Sequence, residues 1–250
     1  MNPFRKNKKQ LSLFITAGFP HLNSLPGQIQ SLEKNGVDFI EVGIPFSDPM
    51  ADGETIQTSS DVALKNGMNI PLLFEQLSEV KATIPLVIMS YFNPILQFGL
   101  EPFLQECKRV NIHHLIVPDI SLEIYDQRYR SLFEQHGITL CFLATPATSS
   151  VRIARMTELS KNGFLYLISS SMTTGKSVQM VQESEVERIR SAANNIPVMI
   201  GFGIKSKADV KEVHHLADGA IIGSAYIQAI QENREQAFIS GLLAPEPQNL

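Results

Sequence analysis

Eight short apolar runs recur along the whole chain, and segments of helical periodicity separate them. Each run is rich in Ile, Val, Leu or Phe and lacks the strict alternation of a strand that is exposed on one face. Continuous apolar runs of this length are typical of strands buried on both faces, as in a parallel sheet. The runs are LFITAG (13–18), FIEVGI (39–44), PLVIMSY (85–91), HLIVPD (114–119), ITLCFLA (138–144), FLYLISS (164–170), PVMIGFGI (197–204) and GAIIGSAY (219–226).

The intervening segments predict helices. In the first segment Leu25, Ile29 and Leu32 recur at helical spacing, and several segments end on Gly or Asn just before the next apolar run, where helices commonly stop. Eight strands that alternate with helices over 250 residues predict one α/β domain, residues 1–250, folded as a single (β/α)8 TIM barrel with a closed parallel sheet. A doubly wound open sheet is the alternative, but it usually has fewer strands, and no GxGxxG follows the first run.

Two connections are longer than the others, one over residues 45–71 and one over residues 171–181. Both follow the carboxyl end of a predicted strand, which is the end at which barrel enzymes carry their active sites. Long loops in compact domains are commonly lids or binding loops. The sequence therefore predicts a functional site at this end. Residues 1–10 and 244–250 are expected to be flexible tails.

Charge and cysteine usage argue against several classes of function. The formal net charge is −4, and the basic run from Arg5 to Lys9 is predicted to be a solvated tail, so we expect no nucleic-acid partner. Two cysteines, Cys107 and Cys141, cannot form a disulfide framework, which favours a cytoplasmic location. The polar N-terminus is unlike a signal peptide, and no apolar stretch approaches the roughly 20 residues of a membrane span.

A carboxylate inside an apolar run is the first candidate for chemistry. Glu41 lies between Ile40 and Val42 in FIEVGI. Burying an unpaired charge is costly, so the side chain is expected to be either paired with a neighbour in the core or functional. Burial would raise its pKa toward neutrality, which suits a general acid/base.

The loop that follows, PFSDPMADG (45–53), offers two further carboxylates, Asp48 and Asp52. Two prolines and a glycine restrict its shape, so plain turn chemistry is an equally good interpretation of the spacing alone. Asp119 ends the run HLIVPD and lies at the carboxyl end of a predicted strand. Helix capping explains Asp119 about as well as a functional role does.

Two glycine turns close the last two predicted strands. Gly201 and Gly203 end the seventh run, and Gly223 with Ser224 ends the eighth and opens a helix. Glycine permits close approach of the backbone, and free N–H groups at a helix N-terminus bind anions. Barrel enzymes commonly bind phosphate after strands seven and eight, so we predict a phosphate site here, with tight turns as the plainer interpretation.

Other polar and aromatic residues are weaker candidates. The pairs His113–His114 and His214–His215 have no third ligand at metal spacing, so no metal site is predicted. Phe14, Tyr91 and Tyr166 fall on or beside predicted strands, where core packing is the simplest interpretation. Tyr91, followed by Asn93, could also face a flat aromatic substrate.

The segment FIEVGIPFSDPMADGETIQ (39–57) closely resembles the signature of the tryptophan synthase alpha subunit family, in which an acid is followed by G-[IV]-P-[FY]-S-D-P-x-A-D-G. LFITAGFP, Tyr91 with Asn93-Pro94, VPD (117–119), GFGI (201–204) and GAIIGSA (219–225) also match in order. The resemblance covers nearly the whole chain. The 39–57 motif is highly specific, whereas many phosphate-binding barrels share the glycine motifs.

The resemblance implies a lyase that cleaves indole-3-glycerol phosphate to indole and glyceraldehyde 3-phosphate by a retro-aldol reaction. Glu41 matches the family's acid/base, and Asp52 matches the carboxylate that holds the indole N–H. Matches to the family's substrate contacts fall into an indole pocket, formed by Phe14, Ile56, Tyr91 and Tyr166, and a phosphate site, formed by Thr174, Gly175, Gly203, Gly223 and Ser224.

The resemblance also implies a partner. In the family, a beta subunit carries pyridoxal phosphate and receives indole through a tunnel in an alpha-beta-beta-alpha heterotetramer. Pro45, Asp48, Asp119 and the loop at 171–181 match the surface for that partner. No metal or organic cofactor is expected in this chain.

The sequence departs from the family pattern in the 171–181 loop. Met172 stands where glycine is usual, and Ser177 replaces a usual basic residue. Ser121 replaces the proline that usually lies shortly after Asp119. These changes motivate an alternative, a catalytically weakened alpha subunit that mainly binds and activates the beta subunit. A third hypothesis, a sugar-phosphate isomerase barrel, would need a lysine base, and only Lys176 and Lys205 lie near strand ends.

Overall fold

The computed structural model of the chain describes residues 2–168, 182–201 and 203–243. Within these ranges nine strands form one sheet, and every pairing in it is parallel. The strands are β1 (Gln10–Thr16), β2 (Phe39–Gly43), β3 (Leu86–Met89), β4 (His114–Ile116), β5 (Thr139–Leu140), β6 (Leu143–Ala144), β7 (Leu165–Ile168), β8 (Val198–Gly201) and β9 (Gly219–Ile222).

The sheet closes into a barrel whose fifth strand is in two pieces. β5 and β6 lie at the two ends of the strand order β5-β4-β3-β2-β1-β9-β8-β7-β6, yet only Cys141 and Phe142 separate them in the chain. The Cys141 amide donates to the Leu115 carbonyl at 2.8 Å, and the Tyr166 amide donates to the Phe142 carbonyl at 2.9 Å. The predicted fifth run is therefore one interrupted barrel strand. The (β/α)8 barrel is confirmed, and the doubly wound sheet is wrong.

Helices connect successive strands and cover the outside of the barrel. In the described ranges they are α1 (Leu25–Lys34), α2 (Glu54–Lys65), α3 (Ile70–Glu79), α4 (Phe92–Phe98), α5 (Leu100–Arg109), α6 (Leu122–Ile124), α7 (Arg130–Gln135), α8 (Ser150–Leu159), α9 (Glu183–Ala192), α10 (Lys207–Leu216), α11 (Ser224–Gln231) and α12 (Glu235–Leu243), with a π-helical turn, Tyr125–Tyr129, joining α6 to α7. Among them we find none whose length and apolar character would let it cross a bilayer.

The prediction of a long loop over residues 45–71 is wrong for its second half, because α2 occupies Glu54–Lys65. Its buried residues, Ile56, Ser59, Ser60 and Ala63, recur at helical spacing. Three of these four are small or polar, so the apolar periodicity that reveals a helix in the sequence is nearly absent. Ser59 is buried through a 2.7 Å hydrogen bond to Thr16 on β1, which explains how a polar residue occupies this face.

The interior of the barrel has its own core. Buried residues from β2, β3, β4, β8 and β9 contact one another, which is possible only across the inside of the ring. Alternate residues of one strand divide between this interior and the layer beneath the helices, as Val87 and Ile88 of β3 do. The interior set is Phe4, Phe39, Val87, Ile116, Cys141, Phe164, Tyr166, Met199 and Ile221.

The N-terminal segment, for which the sequence predicts a flexible and solvated tail, contacts the amino end of the barrel. Phe4 is 2% exposed, and its ring lies 5.1 Å from Phe39 and 4.8 Å from Phe164, centroid to centroid. The basic run is held too, because Lys8 forms a 2.8 Å ion pair with Asp38. This segment therefore closes the barrel at the end opposite the predicted site. Residues 244–250, the other predicted tail, lie outside the described residues.

Replacing Phe4 by Ala is expected to lower the free energy of unfolding by about 3 kcal/mol, because it removes a buried aromatic ring from a packed interior. Equilibrium urea unfolding of both proteins measures the difference. Catalytic activity at 25 °C is expected to stay at the wild-type level, since Phe4 lies at the amino end of the strands. A change below about 1 kcal/mol would show that the segment is only loosely attached.

Candidate active site

A cavity of about 370 Å³ lies at the carboxyl end of the barrel strands. Eight residues that the sequence analysis singled out line its wall: Phe14, Glu41, Asp52, Ile56, Tyr166, Gly203, Gly223 and Ser224. A larger groove of about 620 Å³ lies at the amino end of the strands, but no carboxylate of the described residues lines it. The convergence of titratable groups and glycine turns identifies the smaller cavity as the candidate active site.

Glu41 occupies the middle of β2, between Phe14 on β1 and Val87 on β3 in the sheet register. It is 1% exposed, and its Oε2 has no hydrogen-bond partner among the described residues. Burial, with a smaller contribution from the charge of Asp52, raises the pKa of Glu41 from 4.5 to about 8. A buried carboxyl without a cationic partner avoids the cost of desolvation by keeping its proton. Glu41 is therefore mostly protonated at neutral pH and can act as a proton donor.

Asp52 is held by a tyrosine from the segment that follows β3. The Tyr91 hydroxyl donates to Asp52 Oδ2 at 2.8 Å and accepts from the Ala51 amide at 2.8 Å. Burial raises the pKa of Asp52, and the hydrogen bond from Tyr91 opposes that shift. Tyr91 follows β3 and borders a small cavity that also contains Asp52. One side chain thus fixes the loop after β2 and favours the ionised form of its carboxylate.

Two aromatic rings form apolar walls, and glycines make room for them. Phe14 lies beside Gly43 of β2, and Tyr166 lies beside Gly201 of β8. A Cβ on either glycine would overlap the neighbouring ring. Burial, with the charges of Glu41 and Asp52, raises the pKa of Tyr166 well above its usual value, so the phenol stays neutral. Flat, apolar walls of this kind suit a flat aromatic ligand.

The other side of the cavity is formed by two glycine turns and the start of a helix. Gly223 precedes α11, and the first amides of a helix have no acceptor within the helix. Gly203 follows β8 with φ of +79°, a conformation that glycine adopts without strain. Both glycines and Ser224 line the cavity, so their backbone can approach a ligand closely. Backbone amides and the positive end of the helix dipole together favour a phosphate group.

The remaining predicted residues lie elsewhere. Thr174 and Gly175, together with the atypical Met172 and Ser177, lie outside the described residues. Pro45, Asp48 and Asp119 do not line the cavity. Asp119 Oδ1 accepts the Phe92 amide at 2.8 Å at the start of α4, although the N-cap of α4 is Tyr91, so Asp119 is not the N-cap of a helix. Ser121, the replacement for a usual proline, caps α6 by accepting the Ile124 amide at 3.2 Å.

Sequence reasoning missed part of the wall. Leu143, Ile204 and Lys205 line the cavity, as do Ala51, Gly53, Met89, Ile168, Ile221 and Ala225. The sequence contains a signal for Lys205, because it is one of two lysines near a predicted strand end. Leu143 could not be found, because the interruption between β5 and β6 gives no pattern in the apolar run.

The closed parallel sheet and the cavity at the carboxyl end of its strands define a protein of the (β/α)8-barrel class, whose enzymes carry their active sites at this end. The profile of the tryptophan synthase alpha chain family matches residues 2–241. This chain belongs to that family.

Individual members of the family are similar to this chain in sequence over nearly its full length. The tryptophan synthase alpha chain of Flavobacterium psychrophilum is 48% identical over 233 residues, which cover 92% of each chain, and that of Bacteroides thetaiotaomicron is 42% identical over 237 residues. Among solved structures, the tryptophan synthase A-subunit from Pyrococcus furiosus superposes with a TM-score of 0.84 at 30% identity, covering 97% of this chain and 100% of that one. A tryptophan synthase structure from M. tuberculosis gives 0.83 at 29% identity, with 94% and 92% covered.

Proposed function

We propose that the cavity cleaves indole-3-glycerol phosphate to indole and glyceraldehyde 3-phosphate, with Glu41 and Asp52 as its catalytic residues. Family membership supports the lyase reaction. One observation carries the assignment of residues: a protonated, buried Glu41 and a hydrogen-bonded Asp52 share a cavity with the glycine turns of β8 and β9. Such a cavity holds both ends of the substrate, with the phosphate at the glycine turns and the indole between the aromatic walls.

Glu41 serves in turn as acid and base. The protonated carboxyl first donates its proton to C3 of the indole ring, which leaves a cationic ring and a carboxylate. The carboxylate then takes the proton from the glycerol hydroxyl that adjoins the ring. The bond between C3 and that carbon breaks, its electrons restore the neutral indole, and the oxygen becomes the aldehyde of glyceraldehyde 3-phosphate. Glu41 regains its proton, so the cycle balances without a metal or organic cofactor in this chain.

Asp52 stabilises the cationic ring. Its carboxylate accepts the indole N–H, and this bond strengthens when C3 is protonated and positive charge develops on the ring. The Tyr91 hydroxyl on Asp52 Oδ2 orients the carboxylate before the substrate binds. In a cavity with apolar walls, such preorganised charge stabilises the transition state more than it would in water.

The pH dependence of kcat/KM follows from the two carboxyl groups. Activity is expected to fall as pH rises through about 8, because Glu41 must be protonated to begin the reaction. It is also expected to fall in acid, as Asp52 loses its charge. Initial rates of indole formation between pH 5 and 10 at low substrate concentration give this profile. An alkaline limb that Glu41→Gln leaves unchanged in the residual activity would contradict the assignment of Glu41.

The family implies a beta subunit as the partner. An alpha-beta-beta-alpha assembly, with pyridoxal phosphate in the beta subunit, is part of our proposal. We place the contact at the loop after β2, which contains Pro45 and Asp48, and at Asp119. Met50 in this loop is 90% exposed, and an exposed apolar side chain beside the cavity suits a partner surface. We also propose a cytoplasmic location, with which the free, buried thiols of Cys107 and Cys141 accord.

The alternative, a weakened subunit that mainly activates its partner, is not favoured by the match to the tryptophan synthase alpha chain family. Mixing the purified chain with its cognate beta chain and indole-3-glycerol phosphate tests the proposal directly. We expect indole to form. In the same mixture, conversion of indole and serine to tryptophan reports on the partner. Acceleration of that second reaction without indole formation would instead support the activating role.

A further inference from the structure

Lys205 lies in the loop between β8 and α10 and lines the cavity beside Gly203 and Ile204. Among the described residues that line this cavity, it carries the only positive charge, whereas Glu41 and Asp52 carry the acidic groups. β8 and β2 are separated by β1 and β9, so the strand that precedes Lys205 and the strand that carries Glu41 are three strand spacings apart, roughly 14 Å along the barrel wall. The cavity is therefore polarised, with its cation on the side of the glycine turns.

The backbone that carries Lys205 is held in place. The amides of Lys205 and Ser206 both donate to Asp209 Oδ2 at 2.8 Å, within the capping box that begins α10. These amides are thus already paired, so the N-terminus of α10 is less suited to bind an anion than that of α11. What this loop can still offer a ligand is the Lys205 side chain, which is exposed; its charge interacts with that of Asp209 without forming an ion pair among the described residues.

We propose that the Lys205 ammonium binds the phosphate of the substrate, opposite the backbone amides of Gly223 and Ser224, and so determines preference for phosphorylated substrates. This inference rests on the proposed function of the cavity. A dianionic phosphate is stabilised by a nearby ammonium in addition to helix amides. Lysine supplies this charge without a fixed hydrogen-bond geometry, so arginine at the same position would preserve most of the effect.

The test compares Lys205→Gln and Lys205→Arg with Lys161→Gln, an equal loss of charge at an exposed site before β7, at the amino end of the barrel. In the complex with the beta subunit, Lys205→Gln is expected to raise KM for indole-3-glycerol phosphate about fivefold to tenfold. This is the usual effect of losing one charged contact that is partly exposed to solvent. kcat should stay within about twofold, because an interaction kept from ground state to transition state affects KM alone. Lys205→Arg and Lys161→Gln should match the wild type within about twofold.

Binding of glycerol 3-phosphate, measured by calorimetry, separates the two proposals. The Lys205→Gln change should weaken this binding by the same factor, and the difference should shrink in about 0.5 M salt, where exposed charges are screened. If wild type forms no indole yet Lys205→Gln weakens glycerol 3-phosphate binding, the proposed function fails while the phosphate role of Lys205 stands. If indole forms but Lys205→Gln binds glycerol 3-phosphate as wild type does, or Lys205→Arg is as impaired as Lys205→Gln, the role of Lys205 is overturned.

Discussion

Replacing Glu41 by Gln is expected to lower kcat for indole formation by about 10³-fold or more, since a positioned acid/base contributes about 10²- to 10⁴-fold and this residue acts in two successive steps. Gln has nearly the same shape but can neither donate the proton to C3 nor take one from the hydroxyl. The rate is measured by single-turnover indole formation with the beta subunit present. Residual activity above about one tenth of wild type would show that another group is the acid/base.

A variant that loses activity because it misfolds would be less stable than the wild type, whereas Glu41→Gln is expected to be more stable at neutral pH. The pKa of Glu41 is about 8 in the folded protein and near 4.5 when unfolded. Folding therefore takes up a proton at neutral pH, which destabilises the wild type by roughly 3 kcal/mol at pH 7 relative to a carboxyl of unshifted pKa. The penalty is absent below about pH 4.5, grows up to about pH 8 and is constant above it.

The Glu41→Gln protein is accordingly expected to become more stable relative to wild type as the pH rises from about 5 to 8. Urea unfolding at several pH values measures this trend. A matched control is Glu33→Gln, because Glu33 lies near the end of α1, on the outside of the barrel, and does not line the cavity. That change should leave kcat unaltered. A stability difference that is independent of pH would mean that Glu41 is not protonated in the folded protein.

Replacing Asp52 by Asn is expected to lower kcat/KM by about 10²- to 10³-fold, which is the usual effect of removing one preorganised electrostatic contact to developing charge. Asn keeps the size of the side chain and an oxygen that can accept the Tyr91 hydroxyl, so the loop should stay in place. Kinetics with indole-3-glycerol phosphate measure the loss. An effect on KM alone would indicate that Asp52 binds the indole without stabilising the cation.

The two carboxyl groups are also coupled, which gives Asp52→Asn a second readout. The charge of Asp52 contributes to the raised pKa of Glu41. Its removal should move the alkaline limb of the residual activity to lower pH. Tyr91→Phe is the matched comparison, because it keeps the charge and removes only the hydroxyl that positions it. We expect a loss of about tenfold and an alkaline limb at the wild-type position.

The sequence was sufficient to predict which residues line the cavity where those residues lie close together in the chain. Glu41 and Asp52 lie on one strand and the loop after it, and both line the cavity. The glycine turns were predictable as well, because parallel strands of a barrel bring their carboxyl ends to one face. The contact between Tyr91 and Asp52 was not, since nothing in either segment specifies that a hydroxyl from beyond β3 reaches the loop after β2.

The sequence by itself determined the order of strands and helices and the class of fold, because apolar runs and helical spacing are local patterns that report on burial. Only the tertiary structure decided how the fifth strand divides into β5 and β6, since the break depends on two neighbours that hold it from opposite sides. Only the tertiary structure showed the helix α2, whose buried face carries Ser59, a polar residue that is hydrogen-bonded to Thr16 on β1. The raised pKa of Glu41 also follows only from the tertiary structure, because a pKa depends on which distant residues surround the group. The same holds for Lys205, whose position in the cavity wall depends on residues far away in the chain.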